Sequence, residues 1–206
     1  MRMMIKQHSV LICIGISVIL LVVATLLYPG GSVFDTNSIG FDWTRNFMSN
    51  LFDAKALNGA DNPAWIWAVI GMAFHAAGDG IFFIRTATKL PSRHAALVLR
   101  TTGAINILFS VLITTRLHDI MVALSSTLFL LALFYITVYI LKSKLHVFKV
   151  ACVICLLMFY FTLYLYGADE LAWLAIMQKV SFIASMLLVL AVEYGTKMED
   201  FAHIRS

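Results

Sequence analysis

Charge is what this chain has least of. Lys, Arg, Asp and Glu together make up 13% of the 206 residues, about half the share of an ordinary soluble domain, too little to clothe a globule in water. The few basic residues are dispersed in short groups, so a net charge of +4 forms no patch that would recruit nucleic acid. Cysteine is scarce as well. Cys13, Cys152 and Cys155 all fall in apolar segments, away from loops where a disulfide or a closed zinc site would form. The pair at 152 and 155 has redox-motif spacing but lacks the polar surroundings that make a thiolate, so all three read as packing residues. There is no internal repeat and no low-complexity segment, which removes the usual signature of a transporter built from inverted halves.

What the chain has instead is apolar length. Hydrophobic residues reach 61%, and they gather into six runs bounded by charge, proline or glycine. The runs cover about 9–28, 64–86, 95–115, 119–141, 148–166 and 172–194, each near the ~20 residues that a helix needs to cross a hydrocarbon core. The first follows Arg2 and Lys6 as a signal peptide would, but it is long and no small-x-small cleavage site follows it before "YPGGS", so it reads as a true span. The fold expected is a single all-α membrane domain over residues 1–206 with six transmembrane helices.

Orientation follows from the basic residues, which stay cytoplasmic. With the N-terminus inside, Arg2, Lys6, Arg85, Lys89, Arg93, Arg100, Lys142, Lys144, Lys149, Lys197 and Arg205 lie inside, and only Arg45, Lys55, Arg116 and Lys179 lie on the outer half. Both termini are therefore expected in the cytoplasm, with a bacterial inner membrane as the location. The long connection after the first span carries Phe41, Met48, Leu51 and Phe52 opposite Asp42, Arg45, Asn46, Ser49 and Asp53. That pattern suits a short helix on the outer leaflet or an amphipathic cap over residues 32–62.

Span two holds titratable groups where lipid-facing residues would be expected. In "AFHAAGDGIFFIR", His75 and Asp79 share a helical face with Gly71, while Ala73 with Ala77, and Ala76 with Gly80, form small-xxx-small pairs. A lone carboxylate at that depth costs at least ~2.5–3.5 kcal/mol on insertion scales, so Asp79 needs a partner. The hairpin through "TKLPSRH" brings Arg100 level with Asp79 and Asn106 level with His75. The expectation is an Asp79–Arg100 ion pair and a His75–Asn106 hydrogen bond. Lys179, about two turns into span six, is expected to snorkel to the outer interface or to pair with Asp119, Asp169 or Glu170.

The aromatic-rich "FDWTRNFMSNLFDAKALNGADNP", with Asn46, then Ser49-Asn50-Leu51, then Gly59 and Asn62-Pro63, resembles the signature of a bacterial six-span family of unknown function, domain nine-nine-eight. Its short motif reads Ser-Asp-Leu-Gly. Here Asn50 stands at the acid and Phe52 at the glycine. The resemblance implies an inner-membrane six-helix bundle and brings no catalytic residues. Ser49, His75 and Asp79 also echo the residue types around the zinc of seven-span lipid hydrolases such as alkaline ceramidases, but span six carries no histidine to match.

These features point to a module that holds a membrane lipid, a small amphiphile or a helix of another membrane protein against Gly71, His75, Asp79, Arg100 and Asn106. The competing readings are a membrane-embedded lipid hydrolase, zinc-dependent or not, using Asp42, Arg45, Ser49, Asp53, His118 and Asp119, and a proton-coupled transporter using Asp79 and His75. Depth separates His118 from His75 by roughly 15 Å of helical rise, too far for one ion. No metal site, cofactor or catalytic residue is named by the sequence.

Overall fold

Every apolar run folds as a helix. The structure, a computed structural model, describes residues 2–204, with side chains from residue 7 onward. The side chains of Arg2, Lys6 and Arg205, counted above for orientation, lie outside the described residues. The helices are α1 (Arg2–Leu27), α2 (Ala64–Lys89), α3 (Arg93–Leu112), α4 (His118–Lys142), α5 (His146–Gly167) and α6 (Leu171–Gly195). All six are long and apolar enough to cross a membrane, as a multi-pass membrane protein requires, and no strand is formed among the described residues.

Local chemistry sets the helix ends. Ser92 caps α3, its hydroxyl accepting the Ala95 N–H at 3.4 Å, which satisfies one orphan donor of the first turn. That helix stops at Leu112, sooner than the apolar run suggests, where the backbone tightens into turns that place the Thr114 and Thr115 N–H on the carbonyls of Val111 and Leu112. The hairpin between α5 and α6 closes through Asp169, whose φ of 56° lies in the left-handed region that Asp tolerates better than most residues.

Each helix from α2 to α6 packs on the next, and α6 returns to α2, so five helices form a ring. α1 lies outside it against α2 and α6. Small residues let these helices approach. A Cβ at Gly71 or Gly78 would meet Leu21 or Ile14 of α1 at 3.1 and 3.0 Å, and Gly80 faces Gly103 of α3. The Ala76 and Gly80 pair expected from the sequence is buried, and Gly80 marks the α2–α3 crossing.

At the end of the bundle that carries both termini, Glu193 of α6 gathers the nearby cations. Arg85 Nη1 lies 2.8 Å and Lys89 Nζ 3.7 Å from its two carboxylate oxygens. Arg85 also donates to Ser9 Oγ and to the Gln7 carbonyl of α1, so one acid ties three helices together. Replacing Glu193 with Gln removes the counter-charge of two partly buried cations, which keep neutral acceptors on Ser9, Gln7, the Glu193 carbonyl and Thr196, and is expected to cost about 1–3 kcal/mol. Reversible unfolding of the reconstituted chain, with Glu199→Gln on exposed surface as control, measures it.

The connection between α1 and α2 contains only one turn of 3-10 helix, Met48–Leu51, in place of the expected amphipathic helix. Asparagine side chains organise it. Asn46, fully buried, donates to the Gly31 carbonyl at 2.6 Å and accepts the Asp42 N–H at 2.9 Å. Asn62 bonds the Leu51 and Asp53 carbonyls and caps α2 through the Ala64 N–H. Gly31 needs its φ of +85° and has no room for a Cβ, which would press on the backbone of Leu57 and Asn58. Such short polar fasteners satisfy the backbone of an irregular segment without a regular helix.

Candidate functional site: a cavity inside the helical ring

The ring of α2 to α6 encloses a cavity of about 350 Å³. Its walls are apolar, with Met72, Phe129, Phe159, Leu174 and Phe182 among the lining residues. Phe47, Met48, Ser49 and Phe52 of the α1–α2 connection line it as well. Two adjacent residues of α6 hold that connection in place. Gln178 Oε1 accepts the Met48 N–H at 2.9 Å, and Lys179 Nζ donates to the Asn46 carbonyl at 2.6 Å and to the Ala175 carbonyl.

Polar groups from separate helices converge on this space. On α2, His75 Nε2 faces Asp79 Oδ2 at 3.4 Å, with both side chains under a tenth exposed. His75 Nδ1 and Asp79 Oδ1 have no hydrogen-bond partner. The His75 ring packs on Phe182 of α6 with centroids 4.4 Å apart, which fixes its plane across the α2–α6 seam. On the opposite wall, Ser125 Oγ donates to Asn106 Oδ1 at 2.8 Å. Its only proton is thereby committed, so Ser110, 2.9 Å away, is the donor to Ser125. The chain Ser110, Ser125, Asn106 thus has a fixed direction. Ser181 of α6 approaches Thr162 of α5 at 2.7 Å; Thr162 already donates to the Met158 carbonyl, so Ser181 gives the proton.

The expected partners are different ones. Arg100 does not reach Asp79: it is exposed on α3, because its helical position is one residue past Leu99, which takes the buried direction. Asn106 does line the cavity with His75, but its carbonyl oxygen is taken by Ser125, so the His75–Asn106 bond is replaced by an α3–α4 link. Gly71, one turn from His75, turns its missing side chain toward Leu20 and Leu21 of α1 and serves packing. Lys179 makes no ion pair with Asp119, Asp169 or Glu170; those acids are exposed, and the amine is buried against carbonyls.

The residues of the alternative hydrolase reading do not assemble. Ser49 and His118 line the cavity, whereas Arg45, Asp53 and Asp119 are exposed. Asp42 accepts from the Thr44 hydroxyl and N–H, both at 2.7 Å, and those bonds hold its carboxyl below the usual carboxylate range. His118 Nδ1 pairs with Asp119 at 2.9 Å. His118 and His75 both border the cavity. Among the described residues, no three of His, Cys, Asp and Glu gather as a metal site would require. Sequence reasoning missed Gln178, Ser181, Phe182 and Ser185, which place a polar and aromatic face of α6 on the cavity. Their four-residue spacing carries the signal, 178 with 182 and 181 with 185, and the apolar residues interleaved with them hide it. No protein-family model, curated protein or solved structure matches this chain.

Proposed function

We propose that the chain is a multi-pass membrane protein whose ring binds a small amphiphile, a lipid fragment or a single-chain lipid, in the cavity between α2 and α6. The observation that carries this reading is the convergence of His75, Asp79, Asn106, Ser125 and Ser181 on an otherwise aromatic and aliphatic space. Apolar walls with a few convergent polar groups are the general form of a small-molecule site, and about 350 Å³ falls within the ~300–1,000 Å³ that such sites span. The volume suits one chain with a small head rather than a two-chain lipid. The α1–α2 connection, held by Gln178 and Lys179, acts as a cap over the opening.

A hydrolytic role draws less support from the same geometry. An activated hydroxyl needs a base within hydrogen-bond reach, and the cavity hydroxyls of Ser110, Ser125, Thr162 and Ser181 bond amide, carbonyl or hydroxyl oxygens instead of a histidine.

Ser126 lines the cavity and makes no side-chain bond needed elsewhere, so Ser126→Phe fills the space without breaking the fold's fasteners. Native mass spectrometry of chain extracted in its own lipid is expected to show a bound amphiphile on the wild type and none on Ser126→Phe. Equal occupancy in both contradicts the site. We also place both termini in the cytoplasm of a bacterial inner membrane, on the excess of Arg85, Lys89, Arg93, Arg100, Lys142, Lys144, Lys149 and Lys197 toward the terminal end and the positive-inside rule. A C-terminal reporter active only outside the cytoplasm is expected to stay silent; activity reverses the orientation.

A further inference from the structure

The cavity holds a carboxyl group with no Lys or Arg beside it. Asp79 is 4% exposed, and its one charged-group neighbour is His75. Of the other cations on the packed helices, Arg85 and Lys89 are engaged by Glu193 and Lys179 by the Asn46 and Ala175 carbonyls, while Arg93, Arg100 and Lys142 are exposed and Lys149 lies in the first turn of α5. The other titratable groups around the space are His118 on α4 and Tyr166 on α5, both lining it, and Cys13 of α1 behind α2 near Gly78. α3 and α6 contribute the neutral Asn106, Ser181 and Ser185, and the connection contributes neutral Ser49.

Tautomer chemistry sharpens the deficit. A neutral His75 that turns its Nε2–H to Asp79 leaves Nδ1 as an acceptor, so Nδ1 and Asp79 Oδ1, both unpartnered, are two acceptors facing no donor. An ammonium head carries three N–H donors and a positive charge, which is the missing complement. The Phe182 ring, tilted against His75 with centroids 4.4 Å apart, offers an aromatic surface at the same place, a further attraction for a cation.

We propose that the amphiphile bound in this ring is cationic, an alkyl amine seated with its ammonium against Asp79 and His75 and its chain among Phe47, Phe129 and Phe182. This rests on the amphiphile reading above and adds the sign of the head's charge. A carboxylate in low dielectric is costly alone and inexpensive with a hydrogen-bonded counter-charge, so the ligand supplies the partner that the chain itself withholds.

Octylamine, octanol and octanoate share one chain and differ in head, which makes them direct probes. The full chain in phosphatidylcholine nanodiscs, with empty discs subtracted, is titrated with each at neutral pH. Octylammonium is expected to bind saturably about tenfold or more tighter than octanol, equivalent to ~1.4 kcal/mol, and octanoate weakest of the three. Asp79→Asn is expected to abolish the preference for octylammonium over octanol. Equal affinity of amine and alcohol, or an amine preference that survives in folded Asp79→Asn, overturns the cation assignment and leaves the amphiphile site standing. Saturable binding of none of the three removes both. The wild-type order alone decides the sign of the charge, even where Asp79→Asn does not fold.

Discussion

Asn46→Leu is expected to release the α1–α2 connection from the bundle and to lower stability by about 2–4 kcal/mol, since each buried polar group left without its partner costs ~1–3 kcal/mol. The Asn46 side chain satisfies the buried Gly31 carbonyl and the Asp42 N–H, and leucine can satisfy neither. The damage spreads, because the Asn46 main-chain carbonyl receives the Lys179 amine. Once the connection shifts, that buried cation loses an acceptor in a place where water is scarce. Hydrogen–deuterium exchange should rise across residues 29–62 and stay unchanged in α4 and α5. Leu at the exposed Asn37, whose side chain fastens nothing, should remain within about 0.5 kcal/mol of wild type. Equal protection of the connection in both variants refutes the fastening role.

The second large effect is expected at the α2–α3 crossing. A Cβ at Gly103 would lie 2.8 Å from the Cβ of Phe83, an atom fixed to the backbone and unable to swing aside. Gly103→Leu therefore has to push α3 away from α2, and overpacking of this kind costs about 1–3 kcal/mol or more. That loss exceeds the ~1 kcal/mol gained when a helical glycine is replaced. Since α2 carries His75 and Asp79 and α3 carries Asn106, the same displacement widens the cavity and should weaken amphiphile binding. Gly15 of α1 has nothing within 4 Å of an added Cβ, so Gly15→Ala is expected to be neutral or mildly stabilising. Steric trapping in bicelles resolves both; indistinguishable values show that close approach at Gly103 does not govern the bundle.

The six helices were legible because crossing length and apolar composition are written in contiguous residues. Asp79 and His75 were legible as an anomaly for the same reason. Their surroundings were not, because partners come from rotation about helices whose burial direction no single span reveals. Arg100 is the instructive case. Rise along the hairpin puts it level with Asp79, yet Leu99 takes the inward direction and Arg100 faces out. Asn106 lines the same cavity, but its carbonyl oxygen accepts from Ser125 of the following helix rather than from His75. The α6 face of Gln178, Ser181, Phe182 and Ser185 stayed hidden among apolar residues, and its position across from His75 depends on the ring closing between α2 and α6, a long-range event. Asn46, Asn50 and Asn62 stood out as a motif, and their work turns out to be fastening irregular chain.

The most direct test of the central claim, that an amphiphile occupies the ring beside Asp79, is an experimental density map of the chain in native lipid at side-chain resolution. An elongated density between α2 and α6, ending at His75 and Asp79 and in contact with Phe182, is the predicted result. A ring closed by its own side chains, or Asp79 turned outward among acyl chains, contradicts it.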